Sequence, residues 1–251
     1  MGSRAPIYGD DLAYAHDVGF GGYAREAAPG LIGVLREAGV DEGTVVDLGC
    51  GSGILLRELG RAGYATVGID PSAAMLRLAG AAAPAARLVQ APAERAPLPP
   101  CDAVTAIGEI LCYLPASATT AAGLSRLFRK VASALRPGGV FVFDALVADR
   151  GDVMCYRSWR QGEDWAVMSD VDEDLTKERL TRKITIFRRV DGGWRRAQET
   201  HVLRVFPRAA LEAALKDAGF STRVSSRFGL MRLPTRRLCF RARRSGRRAP
   251  G

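Results

Sequence analysis

The chain has 251 residues, 47% of them apolar, and a formal net charge of +9 at pH 7. It can bury one substantial core, and it has no apolar run long enough to span a membrane. The five cysteines form no C-x-x-C pair and the first residues show no secretory pattern. We therefore expect a cytosolic protein with no metal site and no disulfide framework.

The positive charge is concentrated in the second part of the chain. Residues 1–150 carry 13 basic and 15 acidic side chains, whereas residues 151–251 carry 23 and 12. Eight basic residues lie at or after Arg232, where no acidic residue follows. A basic terminus can bind phosphate backbones, but it is more often a solvated, disordered segment. Because no aromatic platform accompanies it, we predict a disordered tail over residues 245–251 and no nucleic-acid partner.

The first 150 residues alternate between predicted helices and strands. Residues 8–35 are predicted to be helical, with breaks at 19–22 and 29–30. Strands are predicted at 45–47, 65–70, 87–90, 103–107 and 140–144, and helices at 54–62, 72–83 and 119–135. A loop with four prolines, residues 91–100, joins the third and fourth strands. This alternation predicts a parallel sheet with right-handed crossovers.

A glycine-rich turn follows the first strand, in the sequence Val45-Val46-Asp47-Leu48-Gly49-Cys50-Gly51-Ser52-Gly53. Glycines at such a turn allow positive φ and a close approach of a ligand to the backbone. The second strand ends at Asp70, whose carboxylate could accept hydrogen bonds from both hydroxyls of a ribose. Pro71 suits the start of the next helix, and Ser72 could cap it. The spacing differs from G-x-G-x-x-G, which argues against a nicotinamide cofactor.

These motifs, with Leu135-Arg136-Pro137-Gly138-Gly139 before the fifth strand, resemble the class I S-adenosylmethionine-dependent methyltransferases over roughly residues 7–146. The resemblance implies an α/β fold with a doubly wound, seven-stranded, mostly parallel, Rossmann-like sheet and S-adenosylmethionine as cofactor. It implies cofactor contacts from Asp47, Gly49, Cys50, Gly51, Gly53, Asp70, Pro71, Met75, Ala93 and Ile107. The family usually has an acid after the third strand for the adenine. Here Pro92 takes that place, so Ala93 would offer only its backbone, and Glu94 is an alternative.

The pattern changes after Asp144. Residues 165–171, 180–190 and 194–206 read as three antiparallel strands, with a hairpin turn at Asp191-Gly192-Gly193. We interpret this meander, residues 150–206, as an insertion after strand five that covers the carboxyl ends of the strands. A helix over 207–218 and strands at 220–225 and 238–243 complete the core. The predicted regions are thus a helical cap (1–40), a cofactor-binding core (41–149), the insertion, and the end of the core (207–244).

Four residues are candidates for catalysis. His201 shares one face of its strand with Glu199, and this E-x-H resembles the glycine and sugar N-methyltransferase-like branch. His16 occupies the tyrosine position of an A-x-x-Y-D pattern common in small-molecule methyltransferases, with Tyr23 a nearby phenol. Glu109 lies at the tip of the fourth strand, where the negative charge of a carboxylate would attract the positive charge of a sulfonium. For both histidines and for Glu109 a purely structural role remains open.

The functional expectation is methyl transfer to nitrogen or oxygen of a small metabolite, in natural-product or small-molecule metabolism. The alanine- and arginine-rich composition suggests a bacterial source. Two alternatives stay open: methylation of RNA or protein, which the basic second half favours, and a non-catalytic protein that binds S-adenosylmethionine. The sequence leaves open whether the protein is a monomer or a homodimer.

Overall fold

The computed structural model describes residues 7–149 and 151–245. The helices of these ranges are α1 (Asp10–Phe20), α2 (Gly22–Glu37), α3 (Ile54–Arg61), α4 (Ala73–Ala82), α5 (Ala116–Thr119), α6 (Ala121–Ala134) and α7 (Arg208–Asp217). The strands are β1 (Thr44–Leu48), β2 (Ala65–Asp70), β3 (Arg87–Gln90), β4 (Cys101–Ala106), β5 (Leu135–Leu146), β6 (Cys155–Gln161), β7 (Trp165–Asp174), β8 (Arg179–Val190), β9 (Gly193–Arg204), β10 (Phe220–Ser225), β11 (Arg227–Phe228), β12 (Met231–Arg232) and β13 (Arg237–Arg244). A 3-10 turn, Ile110–Tyr113, follows β4.

A seven-stranded sheet with the order β10-β13-β5-β4-β1-β2-β3 forms the centre of the molecule. The pairs among β1 to β5 are parallel, and β13 runs antiparallel to both β5 and β10. The chain runs outward from β1 to β3 on one side and from β4 to β5 on the other, so the direction of winding reverses between β1 and β4. Ligands bind at such a point in open α/β sheets. The predicted fold class is confirmed.

Apolar strands and amphipathic helices explain why the sheet is covered on both faces. Phe128 of α6 packs with Phe141 and Phe143 of β5 on one face. Helices α2 and α3 contribute Leu31 and Leu55 to a second apolar cluster on the other face. Parallel strands buried on both faces need such continuous apolar runs.

The predicted break at Pro29 is wrong. Helix α2 continues through Pro29 as far as Glu37. Proline removes one N–H donor from the helix, but Ala28 and Leu31 on either side are buried against the core. Tertiary packing therefore outweighs the local cost, and α2 is one of the helices that cover the sheet.

The insertion is a separate antiparallel sheet with the strand order β6-β7-β8-β9. The meander is confirmed, but it has a fourth strand, β6, which the sequence did not predict. Its two ends leave the core side by side, because the Phe206 N–H donates to the Leu146 carbonyl at 3.0 Å and the Ala148 N–H donates to the Phe206 carbonyl at 2.9 Å. The basic tail predicted from residue 245 lies outside the described residues, apart from Ser245.

Helix α1 is attached to the inserted sheet. Asp11 is buried and forms an ion pair with Arg195 of β9, and the Tyr14 hydroxyl donates to Asp164 at 2.8 Å. The Arg160 guanidinium donates to the Gly19 carbonyl at 3.0 Å. The helix and the insertion therefore form one cover over the carboxyl ends of the strands.

Candidate active site

The glycine turn after β1 places open space next to the backbone. Gly49, Gly51 and Gly53 all have positive φ, at +68°, +54° and +79°. A Cβ at Gly49 would collide with Ile110 and one at Gly53 with Ala79, whereas a Cβ at Gly51 would meet no heavy atom within 4 Å. The turn is thus packed at its first and third glycines and open at the second. An extended ligand fits against the backbone there.

Asp70 at the end of β2 faces the same turn. Its carboxylate accepts the Gly51 N–H at 3.0 Å and the Ser72 N–H at 2.8 Å, one bond to each oxygen. Burial raises the pKa of Asp70, and the two N–H groups work against that rise. Each carboxylate oxygen can accept more than one hydrogen bond, so Asp70 keeps acceptor capacity for a diol. Ser72 caps α4 by accepting the Met75 N–H at 3.1 Å, as predicted.

Asp47 is the penultimate residue of β1 and lies beside the turn. It lies opposite Thr105 of β4, whose hydroxyl donates to its carboxylate at 2.7 Å. Burial raises the pKa of Asp47 to about 7, against the hydrogen bond from Thr105 and with the help of the charge on Asp70. A cation bound at this point would favour the charged form of Asp47. The methionine ammonium of S-adenosylmethionine is such a cation.

The other predicted cofactor residues lie around this edge of the sheet. Cys50 is buried in a cluster with Leu56, and Ile107 is buried at the end of β4. Pro71 is exposed between Asp70 and Ser72. Met75 is buried and packs in a cluster with Ala13 of α1 and Tyr8. The Ala93 carbonyl already accepts from the Lys130 ammonium at 2.8 Å, so the adenine contact of Ala93 stays a prediction.

The tips of β4 and β5 hold a polar cluster. Asp144 is fully buried and accepts the Gly108 N–H at 2.6 Å, the Glu109 N–H at 3.3 Å and the Tyr23 hydroxyl at 3.2 Å. Burial raises the pKa of Asp144, and Arg237 opposes that rise. Glu109 has a φ of +66°, a conformation that costs free energy for a residue with a side chain. The hydrogen bonds to Asp144 hold this strained turn in place.

Glu109 binds two arginines that the sequence did not reveal as site residues. The Arg237 Nε of β13 donates to Glu109 at 2.7 Å, and the Arg182 Nη2 of β8 lies 2.9 Å from it. Glu109 is only 2% exposed. Burial alone would raise the pKa of Glu109, but the charges of Arg237 and Arg182 outweigh it and hold the pKa below its ordinary value. Glu109 is therefore a charged junction between the core and the insertion.

His201 lies on the inner face of the insertion, as its strand periodicity predicts. It is 1% exposed and pairs across the sheet with Arg182. Its Nε2 is 2.8 Å from the carboxylate of Glu199, which also accepts the Tyr8 N–H at 2.8 Å and the Gly9 N–H at 2.9 Å. A carboxylate only accepts hydrogen bonds, so this contact assigns a proton to Nε2 of His201. The Nδ1 lone pair is buried and has no hydrogen-bond partner.

Aromatic rings surround His201. The Tyr8 ring centroid lies 5.1 Å from that of His201 and 5.2 Å from that of His16, and Tyr113 lies 5.6 Å from His201. The Tyr113 hydroxyl accepts from Arg182 at 3.2 Å. The structure thus brings the candidates His201 and His16 together through Tyr8. It joins Glu109 and Tyr23 through Asp144 and Arg237.

The ionisation of these groups separates their chemical roles. Burial raises the pKa of Tyr8, and burial with the charge of Asp144 raises that of Tyr23, so both phenols keep their protons at neutral pH. Burial lowers the pKa of His16 to about 4, against the charge of Asp17. His16 is therefore a neutral and weakly basic imidazole, although its Nδ1 also lacks a partner. Two other aromatic residues of the insertion lie apart from this group: Trp165 packs near Phe20 of α1, and Tyr156 is exposed.

Residues 7–149 and 151–245 hold no group of three His, Cys, Asp or Glu side chains that could bind a metal ion. No helix within these ranges is long and apolar enough to cross a membrane.

An acid at the tip of the second strand, an open glycine turn and a buried polar cluster at the switch point are typical of a Rossmann-like enzyme with a nucleoside-containing cofactor. A family model described as a methyltransferase domain matches residues 20–223. The chain therefore belongs to this methyltransferase family and is an S-adenosylmethionine-dependent methyltransferase. The open space at Gly51 and the acceptor capacity of Asp70 fit that cofactor.

Solved structures with this fold are similar over nearly the whole chain. An S-adenosylmethionine-dependent methyltransferase from Clostridium acetobutylicum ATCC 824 has a TM-score of 0.79 and 18% identity, covering 94% of this chain and 98% of that one. The sugar N-methyltransferase KedS8 from Streptoalloteichus sp ATCC 53650 has a TM-score of 0.76 and 24% identity, covering 98% of each chain. CalS10, an amino pentose methyltransferase from Micromonospora echinaspora, has a TM-score of 0.75 and 23% identity, covering 97% and 100%. A comparison with the sequences of curated proteins gives no significant match.

Proposed function

We propose that the protein methylates a nitrogen or oxygen of a small metabolite and that His201 accepts the proton of the attacking group. The observation that carries this proposal is the buried Nδ1 of His201, which has no partner while Nε2 is bound to Glu199. Two of the similar structures are named as methyltransferases of sugars or amino sugars, which agrees with an acceptor of this kind.

S-adenosylmethionine supplies a methyl group on a sulfonium and leaves as S-adenosylhomocysteine. The chain must hold the acceptor in line, exclude water and take one proton. If the N–H or O–H of the acceptor donates to Nδ1 of His201, that hydrogen bond fixes the orientation of the acceptor atom. Its lone pair can then point at the methyl group. When Nδ1 takes the proton, the Glu199 carboxylate stabilises the resulting imidazolium. Tyr8 and Tyr113, both protonated phenols, would orient acceptor oxygens.

The burial of this site favours a small acceptor over a polymer. His201 on the inner face of the inserted sheet and Glu109 and Asp144 at the strand tips are all buried. A small molecule can be enclosed there, whereas RNA or a protein would need a reactive group that reaches through the cover. We therefore rank the RNA or protein alternative second.

Replacing His201 with Ala tests the assignment. We expect kcat to fall by about 10²–10⁴-fold, the usual contribution of a general base. The affinity for S-adenosylhomocysteine should stay within a few-fold, because the glycine turn and Asp70 lie in the core. Steady-state kinetics on a panel of amino sugars and calorimetry with S-adenosylhomocysteine measure the two effects.

Thr200→Ala is the matched control, since Thr200 is the exposed neighbour of His201 on the opposite face of β9. It should leave both quantities unchanged. Turnover of the His201 variant at the wild-type rate would remove His201 from the chemistry. A large loss of kcat in His16→Ala, together with normal turnover by His201→Ala, would assign the role of general base to His16.

Several expectations are left as predictions. They are the bounds of the four regions, the cytosolic location, the bacterial source, the place in natural-product metabolism and the choice between monomer and homodimer.

A further inference from the structure

Glu199 makes three contacts that join distant parts of the chain. Its Oε1 accepts the Gly9 N–H at 2.9 Å, and its Oε2 accepts the Tyr8 N–H at 2.8 Å and lies 2.8 Å from Nε2 of His201. Tyr8 and Gly9 immediately precede helix α1, whereas Glu199 and His201 belong to β9 of the insertion. One carboxylate therefore connects the start of the first helix to the proposed base.

The same N-terminal segment is connected to the cofactor side of the molecule. The Ser72 hydroxyl donates to the Tyr8 carbonyl at 2.7 Å, and the Ser72 N–H donates to Asp70. Tyr8 has a φ of +60°, which a tyrosine rarely adopts without support. The peptide groups of Tyr8 are thus held from two sides. Ser72, which binds Asp70, holds the carbonyl, and Glu199, which binds His201, holds the N–H. These contacts account for the strained conformation.

The ring of His201 depends on this arrangement. A change of tautomer would place the lone pair of Nε2 against the lone pairs of the Glu199 carboxylate, which is unfavourable, and rotation of the ring would break the hydrogen bond to Glu199. With the proton fixed on Nε2, only Nδ1 is available to a ligand. The Tyr8 ring packs against His201 at 5.1 Å and limits its movement. A base whose tautomer is fixed by a carboxylate is oriented before the acceptor binds.

We propose that Glu199 is a positioning residue that fixes the Nε2–H tautomer of His201 and, at the same time, holds the Tyr8–Gly9 segment in place by hydrogen bonds. The base is therefore correctly oriented only when the N-terminal segment is in place over the site. This inference rests on the proposed function for its catalytic consequence, but its structural part can be measured without turnover.

Nuclear magnetic resonance of ¹⁵N-histidine-labelled protein gives the direct test. The chain has only two histidines, so a His16→Gln variant assigns both sets of ring signals. The wild-type protein should show His201 as the neutral Nε2–H tautomer, and Glu199→Gln should lose that state or mix it with the Nδ1–H form. A wild-type His201 protonated on Nδ1 alone would overturn the proposal, with no variant needed.

Hydrogen exchange and kinetics supply the second readout. In Glu199→Gln the amide that faces the new NH2 group, that of Tyr8 or that of Gly9, should exchange at least about tenfold faster, because that side of the residue no longer accepts a hydrogen bond. We expect kcat to fall by about 10²-fold or more, with the acceptor KM within a few-fold. The control Glu163→Gln makes the same substitution at a side chain of the insertion that is 94% exposed, and it should change neither quantity.

The two proposals fail in different ways. Unimpaired turnover by His201→Ala overturns the general-base assignment, whatever the tautomer. An unchanged His201 tautomer and unchanged exchange of the Tyr8 and Gly9 amides in Glu199→Gln overturn the positioning role.

Discussion

At the scale of single residues, Asp70 combines two tasks. It orders the glycine turn through the Gly51 N–H and the start of α4 through the Ser72 N–H. Both bonds use the carboxylate that the sequence assigns to the ribose. We therefore expect the turn and the ribose to share one acceptor, so that loss of Asp70 affects both.

We predict that Asp70→Ala weakens S-adenosylhomocysteine binding by at least about tenfold, since hydrogen bonds to a charged group contribute about 1.5–3 kcal/mol. Isothermal titration calorimetry measures the change. Asp172→Ala, at an exposed position in the insertion, is the control and should bind normally. Unchanged affinity in a folded Asp70→Ala protein would exclude Asp70 from the ribose site.

Gly51 gives a second prediction at this scale, because its open side is where the ligand should lie. Gly51→Val should abolish detectable cofactor binding. Gly63→Val is a matched control, since Gly63 also has positive φ (+97°) and no heavy atom within 4 Å of a Cβ. Both variants should lose similar stability from backbone strain, but only the first should lose binding. Equal binding by the two would mean that the turn has no contact with the cofactor.

At the scale of elements, the insertion is attached to the core through buried charge. Arg182 of β8 and Arg237 of β13 meet at Glu109, which follows β4. Such a junction fixes the sheet over the strand tips, and it makes Glu109 the shared partner of two partly buried guanidinium groups, of which Arg237 also lies 3.6 Å from Asp144.

Glu109→Ala should therefore lower the free energy of unfolding by about 3–5 kcal/mol, the usual cost of removing one partner from a buried ion pair. Urea denaturation followed by circular dichroism measures this loss. Glu212→Ala breaks an exposed pair with Arg208 and should cost no more than about 1 kcal/mol. Equal losses in the two variants would show that the Glu109 junction contributes no special stability.

The sequence predicted the elements whose pattern is local. The β1–α3 turn, Asp70 and the inward face of β9 all follow from periodicity and spacing within a dozen residues. Strand β6 was missed because Cys155–Gln161 is exposed throughout and shows no alternation of burial. The roles of Arg182 and Arg237 were missed because an ion pair between residues 73 or 128 positions apart leaves no local signal. The break at Pro29 was predicted from a local rule that packing overrides.

At the scale of the whole molecule, the excess positive charge lies mostly outside the site. The arginines near Glu109 are neutralised by carboxylates, whereas the last residues of the chain carry basic side chains without acids. Residues 246–251 include Arg247 and Arg248 and none of the residues proposed for the acceptor site.

Removing residues 246–251 should therefore leave kcat and KM unchanged, while any weak nucleic-acid binding that falls with salt should decrease. Turnover assays and fluorescence anisotropy with a labelled oligonucleotide at two salt concentrations test both parts. Loss of activity on the true acceptor together with the tail would make RNA the leading substrate.

Because the two ends of the insertion are adjacent, recombination could exchange this segment between related enzymes. Residues 149–205 leave and re-enter the core next to each other, at Leu146–Ala148 and Phe206, so exchange of this one segment preserves the backbone pairing of the scaffold. The contacts divide the molecule differently, because Asp11 and the N–H groups of Tyr8 and Gly9 bind the insertion, while the Tyr8 carbonyl accepts from Ser72 of the core. We therefore expect an exchange of acceptor specificity to need two segments, the first helix and the inserted sheet. A chimaera that inherits only one of them has mismatched partners at Glu199 and Arg195.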